Sequence, residues 1–304
     1  MRALVTGATG FMGRHLCRHL ERLGLEVHTA GRAGAPSARH HPLADVTSTR
    51  AVAEVVTTAA PDVVFHLAGV AQADEPAELY RVNVGFAVTL LAALEAAGLA
   101  DRPLLVVGTA AEYGLVRPED LPIAEDCPAR PCGHYAASKL AQTEAALAAA
   151  RAGRPVVVAR PFNVIGPGMP EHVVLQSVAA QLARIARGEQ PPVLALGNLE
   201  SRRDFVDVQD AAGAFVQLVL CPAARGEIVN VCSGRPVRIS DLVARAVALS
   251  GVDVTVRQER ARLKALDVPD AYGTNAKLRR LIGDLPALEL DASLARILEE
   301  AGIR

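Results

Sequence analysis

Residues 1–13, MRALVTGATGFMG, decide the fold of this 304-residue chain. A short apolar run ends at Thr6, and glycines follow as Gly7, Gly10 and Gly13. Glycine permits a tight turn between a strand and a helix, and it lets the backbone approach a pyrophosphate at the helix N-terminus. Because the GxxGxxG spacing differs from the GxGxxG dinucleotide fingerprint, glycines kept only for helix–strand packing are the alternative. The stretch predicts a strand, a nucleotide-binding turn and a helix.

Beyond this turn, short apolar runs rich in β-branched residues alternate with helical stretches rich in Ala, Leu and Arg. The predicted strands are residues 3–6, 25–30, 62–67, 103–108, 155–160 and 227–231. The predicted helices include residues 10–23, 78–97 and 135–152. This alternation predicts an α/β fold, a Rossmann-type doubly wound parallel sheet with helices on both faces. Unbroken apolar strands suit a sheet that is covered on both sides.

The pattern changes after Arg160. A Gly/Pro-rich loop, a helix near residues 171–187 and a turn-rich stretch follow, and the region beyond residue 233 is mixed. We therefore predict a cofactor-binding domain from residues 1–163 and 202–232. Residues 164–201 and 233–304 are predicted to form a smaller, mainly C-terminal substrate-binding lobe.

Composition excludes several classes of function. Half of the chain is hydrophobic, the formal net charge is −1 and Trp is absent. These values give no basis for a nucleic-acid or anionic-membrane partner. No apolar run reaches the roughly 18 residues of a membrane span, and glycines interrupt the N-terminal run too early for a signal peptide. We predict a cytoplasmic enzyme with no membrane partner.

The cysteines and histidines do not predict a metal site. The five cysteines are odd in number and form no close CxxC pair, which favours a reducing compartment over disulfides or zinc. His40, His41 and His66 show no metal-ligand spacing with Cys or acidic residues. No metal is predicted.

The second predicted strand ends in HTAGRAG, which bears on the cofactor. An NAD-preferring site usually places an acid there to hold the ribose 2′-hydroxyl, but here Arg32 follows Ala30 and Gly31. A guanidinium suits a 2′-phosphate, so NADP(H) is predicted, with a solvated surface arginine as the alternative. Asp45, in LADVTS, is placed to read an adenine edge, with turn chemistry as its alternative.

The predicted catalytic residues are Thr109, Tyr135 and Lys139. Tyr135 and Lys139 stand at positions i and i+4 of a predicted helix and so share one face. An ammonium near a phenol favours the phenolate and lowers the tyrosine pKa, which makes the phenol a proton donor and acceptor. Thr109 ends the run LLVVGT at the edge of the sheet where ligands bind. A half-buried tyrosine beside a surface lysine is the alternative.

At these motifs the chain resembles the extended short-chain dehydrogenase/reductase family over essentially its whole length. The matching elements are TGATGFMG, FHLAG, VNVGFAVTLLAAL, GTAAEYG, YAASK and RPFNVIGPG. RPFNVIGPG, GNLESRRDFVDVQD, VNVCSG and DVPDAYGTNAKLRRLIG are most similar to the branch of GDP-mannose 4,6-dehydratases and GDP-6-deoxy-D-mannose reductases.

The resemblance implies a set of site residues. Thr109, Tyr135 and Lys139 take the catalytic positions. Cofactor contacts are implied for Gly7, Thr9, Gly10, Phe11, Met12, Gly13, Arg32, Asp45, Val46, Leu67, Ala68, Gly69, Tyr135, Lys139 and Pro161. Contacts to a sugar nucleotide, with a GDP-hexose favoured, are implied for Thr109, Glu112, Asn163, Arg203 and Lys264.

The chain departs from the branch in two respects. Dehydratases carry acidic residues just after the catalytic Thr, whereas this chain has Ala110 and Ala111, with Glu112 displaced. Lys264 stands where the family usually has an arginine near the sugar-nucleotide phosphates. Ala110 and Ala111 favour an NADPH-dependent 4-ketoreductase of a nucleotide-linked 4-keto-6-deoxy-hexose, whereas Lys264 bears on affinity or nucleotide preference. A nucleotide-sugar 4-epimerase, a 4,6-dehydratase and a non-catalytic NADP-binding sensor are the alternatives.

The resemblance also implies a homodimer. In this family, helices corresponding to residues 78–97 and 135–152 pair into a four-helix bundle, and small residues such as those at 145–150 permit close helix approach. Light scattering that shows a monomer at micromolar concentration would count against the dimer.

Overall fold

The computed structural model describes residues 1–32, 39–171, 173–260, 269–284 and 289–303. The strands are β1 (Arg2–Thr6), β2 (Glu26–Gly31), β3 (His40–Pro42), β4 (Val63–His66), β5 (Leu104–Val107), β6 (Val156–Pro161), β7 (Asn163–Ile165), β8 (Val193–Leu196), β9 (Arg202–Asp207), β10 (Ile228–Val231), β11 (Pro236–Arg238), β12 (Thr255–Gln258) and β13 (Asp270–Ala271). The helices are α1 (Phe11–Arg22), α2 (Thr49–Ala59), α3 (Pro76–Tyr80), α4 (Phe86–Ala96), α5 (Gly133–Arg151), α6 (Val174–Ala186), α7 (Val208–Leu220), α8 (Ile239–Ser250), α9 (Ala276–Ile282) and α10 (Leu290–Glu300).

A parallel sheet forms the centre of the fold. Across the described residues it has seven strands in the order β10-β6-β5-β4-β1-β2-β3, and every neighbouring pair is parallel. The chain order reverses between β1 and β4, where Thr6 pairs with His66. Such a switch point is where ligands bind in open α/β sheets. The predicted Rossmann-type fold is confirmed.

Alternating strand residues bury both faces of this sheet. In β1, Val5 packs with Leu16 of α1 and Phe215 of α7, whereas Leu4 packs with Leu90 of α4 on the opposite face. The same alternation runs through β4, β5 and β6. The strands therefore read as continuous apolar runs, and their predicted bounds agree with the structure to within one or two residues. The short polar strand β3 at the sheet edge was not predicted.

A second group of elements lies outside the central sheet. β9 pairs with β7, β11 and β13, and β8 pairs with β12. Their apolar side chains join α6, α8 and α10 in a separate core cluster. The predicted domain boundaries stay a prediction, although β9, which begins the predicted 202–232 segment, pairs outside the central sheet.

The predicted helix 78–97 is longer and less regular than expected. α3 and α4 are joined by a π-helical turn at Arg81–Gly85. The continuous helix Pro76–Ala96 is long and apolar enough to cross a membrane by length and composition alone. However, 56% of its most apolar 18-residue segment is buried inside the fold. It packs against α2 and α5, as a core helix does.

Candidate active site

The predicted site residues converge because they follow the carboxyl ends of adjacent strands. The glycine-rich turn follows β1, Arg32 follows β2, and residues 67–69 follow β4. Thr109 lies two residues beyond β5, and Pro161 ends β6. The parallel pairing of these strands brings all of these positions to one edge of the sheet. The structure thus places the candidate cofactor and catalytic residues along one edge of the central sheet.

The glycine-rich turn fits a pyrophosphate. Gly7 has φ +73°, and an added Cβ would lie 2.6 Å from the backbone nitrogen of Ala68. At Gly13 an added Cβ would lie 2.1 Å from the carbonyl oxygen of Gly7. α1 begins after Gly10 with no side-chain cap and no acidic residue in its first turn. Its first N–H groups and its partial positive charge are therefore available to an anion.

The adenosine end of the site is partly as predicted. Arg32 is exposed directly after β2, and Val46 is buried in the core cluster that includes residues of α2 and α4. Asp45 is exposed, and its carboxylate accepts hydrogen bonds from the backbone nitrogen (2.9 Å) and hydroxyl (2.7 Å) of Thr47, which lower its pKa. Asp45 therefore has the turn chemistry given as its alternative, and contact with adenine stays a prediction.

Thr109, Tyr135 and Lys139 form a compact catalytic candidate. Both Tyr135 and Lys139 lie in the first turns of α5, and the phenol hydroxyl of Tyr135 hydrogen-bonds the Thr109 side chain. The buried Lys139 ammonium donates a 2.6 Å hydrogen bond to the carbonyl oxygen of Val107 and another to Oε1 of Gln142. Thr109 and Lys139 are thus both attached to the end of β5.

Lys139 was predicted to lower the pKa of the Tyr135 phenol, but in this structure that pKa is raised. Burial raises the pKa of Tyr135, the hydrogen bond with Thr109 lowers it, and the charge of Glu112 raises it further, so that the pKa lies above its usual value. Burial also lowers the pKa of Lys139 to about 8, against the opposing effect of Glu112. Desolvation explains the difference, because it disfavours the charged form of both groups. At neutral pH the phenol keeps its proton and most of Lys139 is charged.

The prediction that Glu112 contacts substrate is wrong for this structure. Its side chain is fully buried, with 0% exposure. One carboxylate oxygen accepts from the Thr109 backbone nitrogen at 2.9 Å, and the other accepts from the Thr143 hydroxyl at 2.9 Å and from Arg160 at 2.8 Å. Glu112 closes a capping box on the 3₁₀ turn Ala110–Tyr113, a TxxE signal that was visible in the sequence.

The two alanines after Thr109 begin the 3₁₀ turn beside the catalytic threonine, where dehydratases carry acidic residues. Ala110 is half-buried and Ala111 is exposed beside the catalytic threonine. A methyl group neither takes nor gives a proton. This part of the site therefore has none of the ionisable groups that an elimination requires.

The predicted diphosphate contacts lie on the second group of strands. Asn163 is exposed at the start of β7, and its amide donates a 2.8 Å hydrogen bond to the carbonyl oxygen of Asp204. Arg203 lies on the adjacent strand β9 and donates to the carbonyl oxygens of Arg202 and Pro269. These two positions are therefore close together, and substrate contact stays a prediction. Lys264 lies outside the described residues.

Sequence reasoning missed two residues that support the site. The buried amide of Asn83 accepts from the Val70 backbone nitrogen at 2.8 Å and donates to Ser138 at 2.9 Å, which joins the loop after β4 to α5. His66 hydrogen-bonds the Thr6 hydroxyl at 2.8 Å, and burial lowers its pKa to about 3. A polar residue inside an apolar run was the available signal for both.

Comparison with known proteins agrees with this geometry. Residues 3–232 match the model of the NAD dependent epimerase/dehydratase family. The chain is 34% identical to GDP-6-deoxy-D-mannose reductase of Pseudomonas aeruginosa, over 98% of this chain and 96% of the relative. It is 32% identical to dTDP-6-deoxy-L-talose 4-dehydrogenase (NAD(P)(+)) of Kitasatospora kifunensis, over 99% and 93%.

A solved structure is similar over the whole chain. It is that of RMD from Pseudomonas aeruginosa complexed with NADPH, with a TM-score of 0.87 and 31% identity. The match covers 99% of this chain and 97% of that one. The likeness therefore includes both the central sheet and the elements outside it.

Proposed function

The chain belongs to the NAD dependent epimerase/dehydratase family, and within it we propose an NADPH-dependent 4-ketoreductase. The substrate is a nucleotide-linked 4-keto-6-deoxy-hexose, and the reaction is of the type that converts GDP-4-keto-6-deoxymannose to a GDP-6-deoxymannose. The observation that carries this proposal is that Thr109, Tyr135 and Lys139 are all present, while the two residues directly after Thr109 are Ala110 and Ala111. The reductase from Pseudomonas aeruginosa, with its 34% identity, supports the same reaction class.

Each catalytic side chain has one task in this reaction. When bound, NADPH would provide the hydride for C4 of the sugar. The Thr109 hydroxyl polarises the C4 oxygen, and Tyr135 delivers the proton that this oxygen needs as the C–H bond forms. The raised pKa of Tyr135 keeps that proton in place at neutral pH. Lys139 supplies positive charge to the site below its own pKa of about 8, and its ammonium holds the end of β5 through the carbonyl oxygen of Val107.

The glycine-rich turn and Arg32 would hold NADP(H). The uncapped start of α1 suits the pyrophosphate, and the exposed Arg32 guanidinium suits a 2′-phosphate. The NADPH in the solved structure of the similar protein from Pseudomonas aeruginosa supports this choice.

The function is tested by product analysis. We expect the enzyme to consume one NADPH per GDP-4-keto-6-deoxymannose and to leave GDP-mannose unchanged, since Ala110 and Ala111 do not supply the acid and base of an elimination. Mass spectrometry of the sugar nucleotide and absorbance at the nicotinamide band measure both. A 4-keto-6-deoxy product from GDP-mannose would make the chain a dehydratase. Inversion at C4 without net use of cofactor would make it an epimerase, and binding of NADPH without any turnover would fit a sensor.

Cofactor preference is tested at Arg32. We expect wild type to bind NADPH more tightly than NADH, and Arg32→Ala to lose about tenfold or more in NADPH affinity, because one charged hydrogen-bonding partner is worth roughly 1.5–3 kcal/mol. NADH affinity should stay unchanged. Arg50→Ala, at an exposed arginine of α2, is the matched control. An unchanged preference in Arg32→Ala would show that Arg32 is only a surface residue.

Three further points belong to the same proposal. A GDP-linked hexose is favoured by the relative from Pseudomonas aeruginosa. A cytoplasmic location suits the five cysteines, which are all free thiols. A homodimer through α4 and α5 suits the small residues of α5 and the exposed Val88 of α4.

A further inference from the structure

A buried carboxylate lies beneath the catalytic residues and has no task in the reaction as described so far. Glu112 pairs with Arg160, and their side chains are 0% and 3% exposed. The Arg160 guanidinium also lies 4.6 Å above the ring of Tyr113. A buried ion pair is weak evidence for stability, since apolar residues of equal volume often serve as well. The pair therefore calls for an explanation other than stability.

The position of the carboxylate offers that explanation. It fills the space beside Gly108, where an added Cβ would lie 2.5 Å from Oε1 of Glu112. The residue before Gly108 is Val107, whose carbonyl oxygen accepts the hydrogen bond from Lys139. The residue after it is Thr109, whose backbone nitrogen donates to the same Oε1. One carboxylate thus lies against the three-residue segment to which both catalytic side chains are attached.

We propose that Glu112 is a positioning residue that fixes the Thr109 end of β5 and keeps the Lys139 ammonium charged inside the protein. Arg160 and Thr143 hold the carboxylate in place, and both lower its pKa against the larger effect of burial. The inference rests on the proposed reductase only where it concerns turnover, because the charge of Lys139 is a property of the protein without substrate.

The other titratable groups around Lys139 and Glu112 do not change charge in the relevant range. His66, at the end of β4, has a pKa of about 3 and is neutral, and Tyr113, on the 3₁₀ turn, has a pKa of about 12. Tyr135, on the same helix, has a pKa above its usual value, and Arg160 on β6 stays charged. Glu112 is consequently the anion whose removal changes the charge balance at Lys139.

The test reads the Lys139 charge directly. The chain has three lysines, Lys139, Lys264 and Lys277, so protein labelled with ¹³C at lysine Cε gives three signals, assigned with Lys264→Arg and Lys277→Arg. The wild-type Lys139 signal should titrate with a pKa of about 8. In Glu112→Gln the pKa should fall by about one unit or more, because a nearby opposite charge typically shifts a pKa by 1–3 units. In Glu112→Asp, which keeps the charge, most of the fall should be absent.

A matched control removes a hydrogen bond to Glu112 but leaves its charge. Thr143→Val should leave the Lys139 pKa within about 0.3 of wild type, because the carboxylate keeps its pairing with Arg160. Where Glu112→Gln fails to fold with Arg160 unpaired, the double variant Glu112→Gln/Arg160→Met removes both charges, and a smaller fall of the Lys139 pKa is expected there. An unchanged pKa in the folded Glu112→Gln or the double variant would overturn the proposal.

Turnover provides the second readout. The alkaline limb of kcat/KM for the ketoreductase should move to lower pH in Glu112→Gln by the same amount as the Lys139 titration. A purely structural role for Glu112 would lower kcat without moving this limb, and that outcome would also overturn the proposal. If the pKa of Lys139 falls as expected but wild type reduces no 4-keto sugar, the proposed function fails while the role of Glu112 stands.

Discussion

Replacing Tyr135 by phenylalanine should lower ketoreductase turnover by about 10³–10⁴-fold, in the upper part of the range for general acid catalysis. The ring is retained, so the packing of α5 is expected to persist. Only the hydroxyl that hydrogen-bonds Thr109 is lost, and with it the proton for the C4 oxygen. NADPH should still bind, because the glycine-rich turn and Arg32 are unchanged. Turnover is measured by NADPH oxidation with GDP-4-keto-6-deoxymannose.

Binding and folding are checked separately in this variant. NADPH fluorescence gives the affinity, and because the chain has no Trp there is no indole emission to correct for. The control is Tyr80→Phe, since Tyr80 is a partly exposed tyrosine of α3 whose hydroxyl lies 3.4 Å from His134. It should keep turnover within a few-fold. A Tyr135→Phe enzyme within tenfold of wild type would mean that another group donates the proton.

Replacing Arg160 by methionine should lower the free energy of unfolding by about 3–5 kcal/mol, the usual cost of leaving one partner of a buried ion pair alone. Arg160 is 3% exposed, and its loss leaves the Glu112 carboxylate with only Thr143 and the Thr109 nitrogen as donors. The methionine is apolar and unbranched, so the volume is largely kept. Denaturant or thermal unfolding measures the loss.

The pH dependence of that loss has a definite sign. Burial already raises the pKa of Glu112 in the folded protein, and removing the guanidinium raises it further. The carboxylate then destabilises the folded state above its pKa and ceases to do so once it is protonated. Arg160→Met should therefore be most destabilised at neutral and alkaline pH and recover as the pH falls towards the range of free carboxyl groups. The double variant with Glu112→Gln should lack this dependence.

An exposed pair of similar geometry is the control. Arg187 donates to both carboxylate oxygens of Glu189 at 2.8 and 2.9 Å, but its side chain is 53% exposed. Arg187→Met should leave stability nearly unchanged, since solvent screens such pairs. Equal losses in Arg160→Met and Arg187→Met would show that burial of the Glu112 pair has no energetic effect.

The sequence predicted the fold because local signals and topology agree. The apolar runs alternate with helices, and parallel strands bring their carboxyl ends to one edge, so Gly7, Arg32 and Thr109 could be placed together without coordinates. The edge strand β3 was missed because HHP has neither length nor apolar character. The π-helical turn was missed because its periodicity differs from that of the flanking helices only locally.

The site was predicted less completely than the fold. Residue type and family motif suggested that Glu112 reaches substrate, but a TxxE capping box directs its carboxylate inward. The pKa of Tyr135 was misjudged because i, i+4 spacing fixes a shared face but not burial, and burial is the dominant effect here. Both errors concern the direction of a side chain or its burial, and these depend on distant parts of the chain, such as the Thr143 and Arg160 side chains that hold Glu112.

The separation of the two groups of strands has a consequence for how new specificities arise. Thr109 and Lys139 are anchored to β5, whereas Asn163 and Arg203 lie on β7 and β9, which share no hydrogen-bonded ladder with the central sheet across the described residues. Substitutions on β7 and β9 can therefore accumulate without disturbing the proton-transfer residues. A library of variants confined to those two strands is the natural starting point for directing the enzyme to other sugars, because the cofactor-binding and proton-transfer residues stay unchanged.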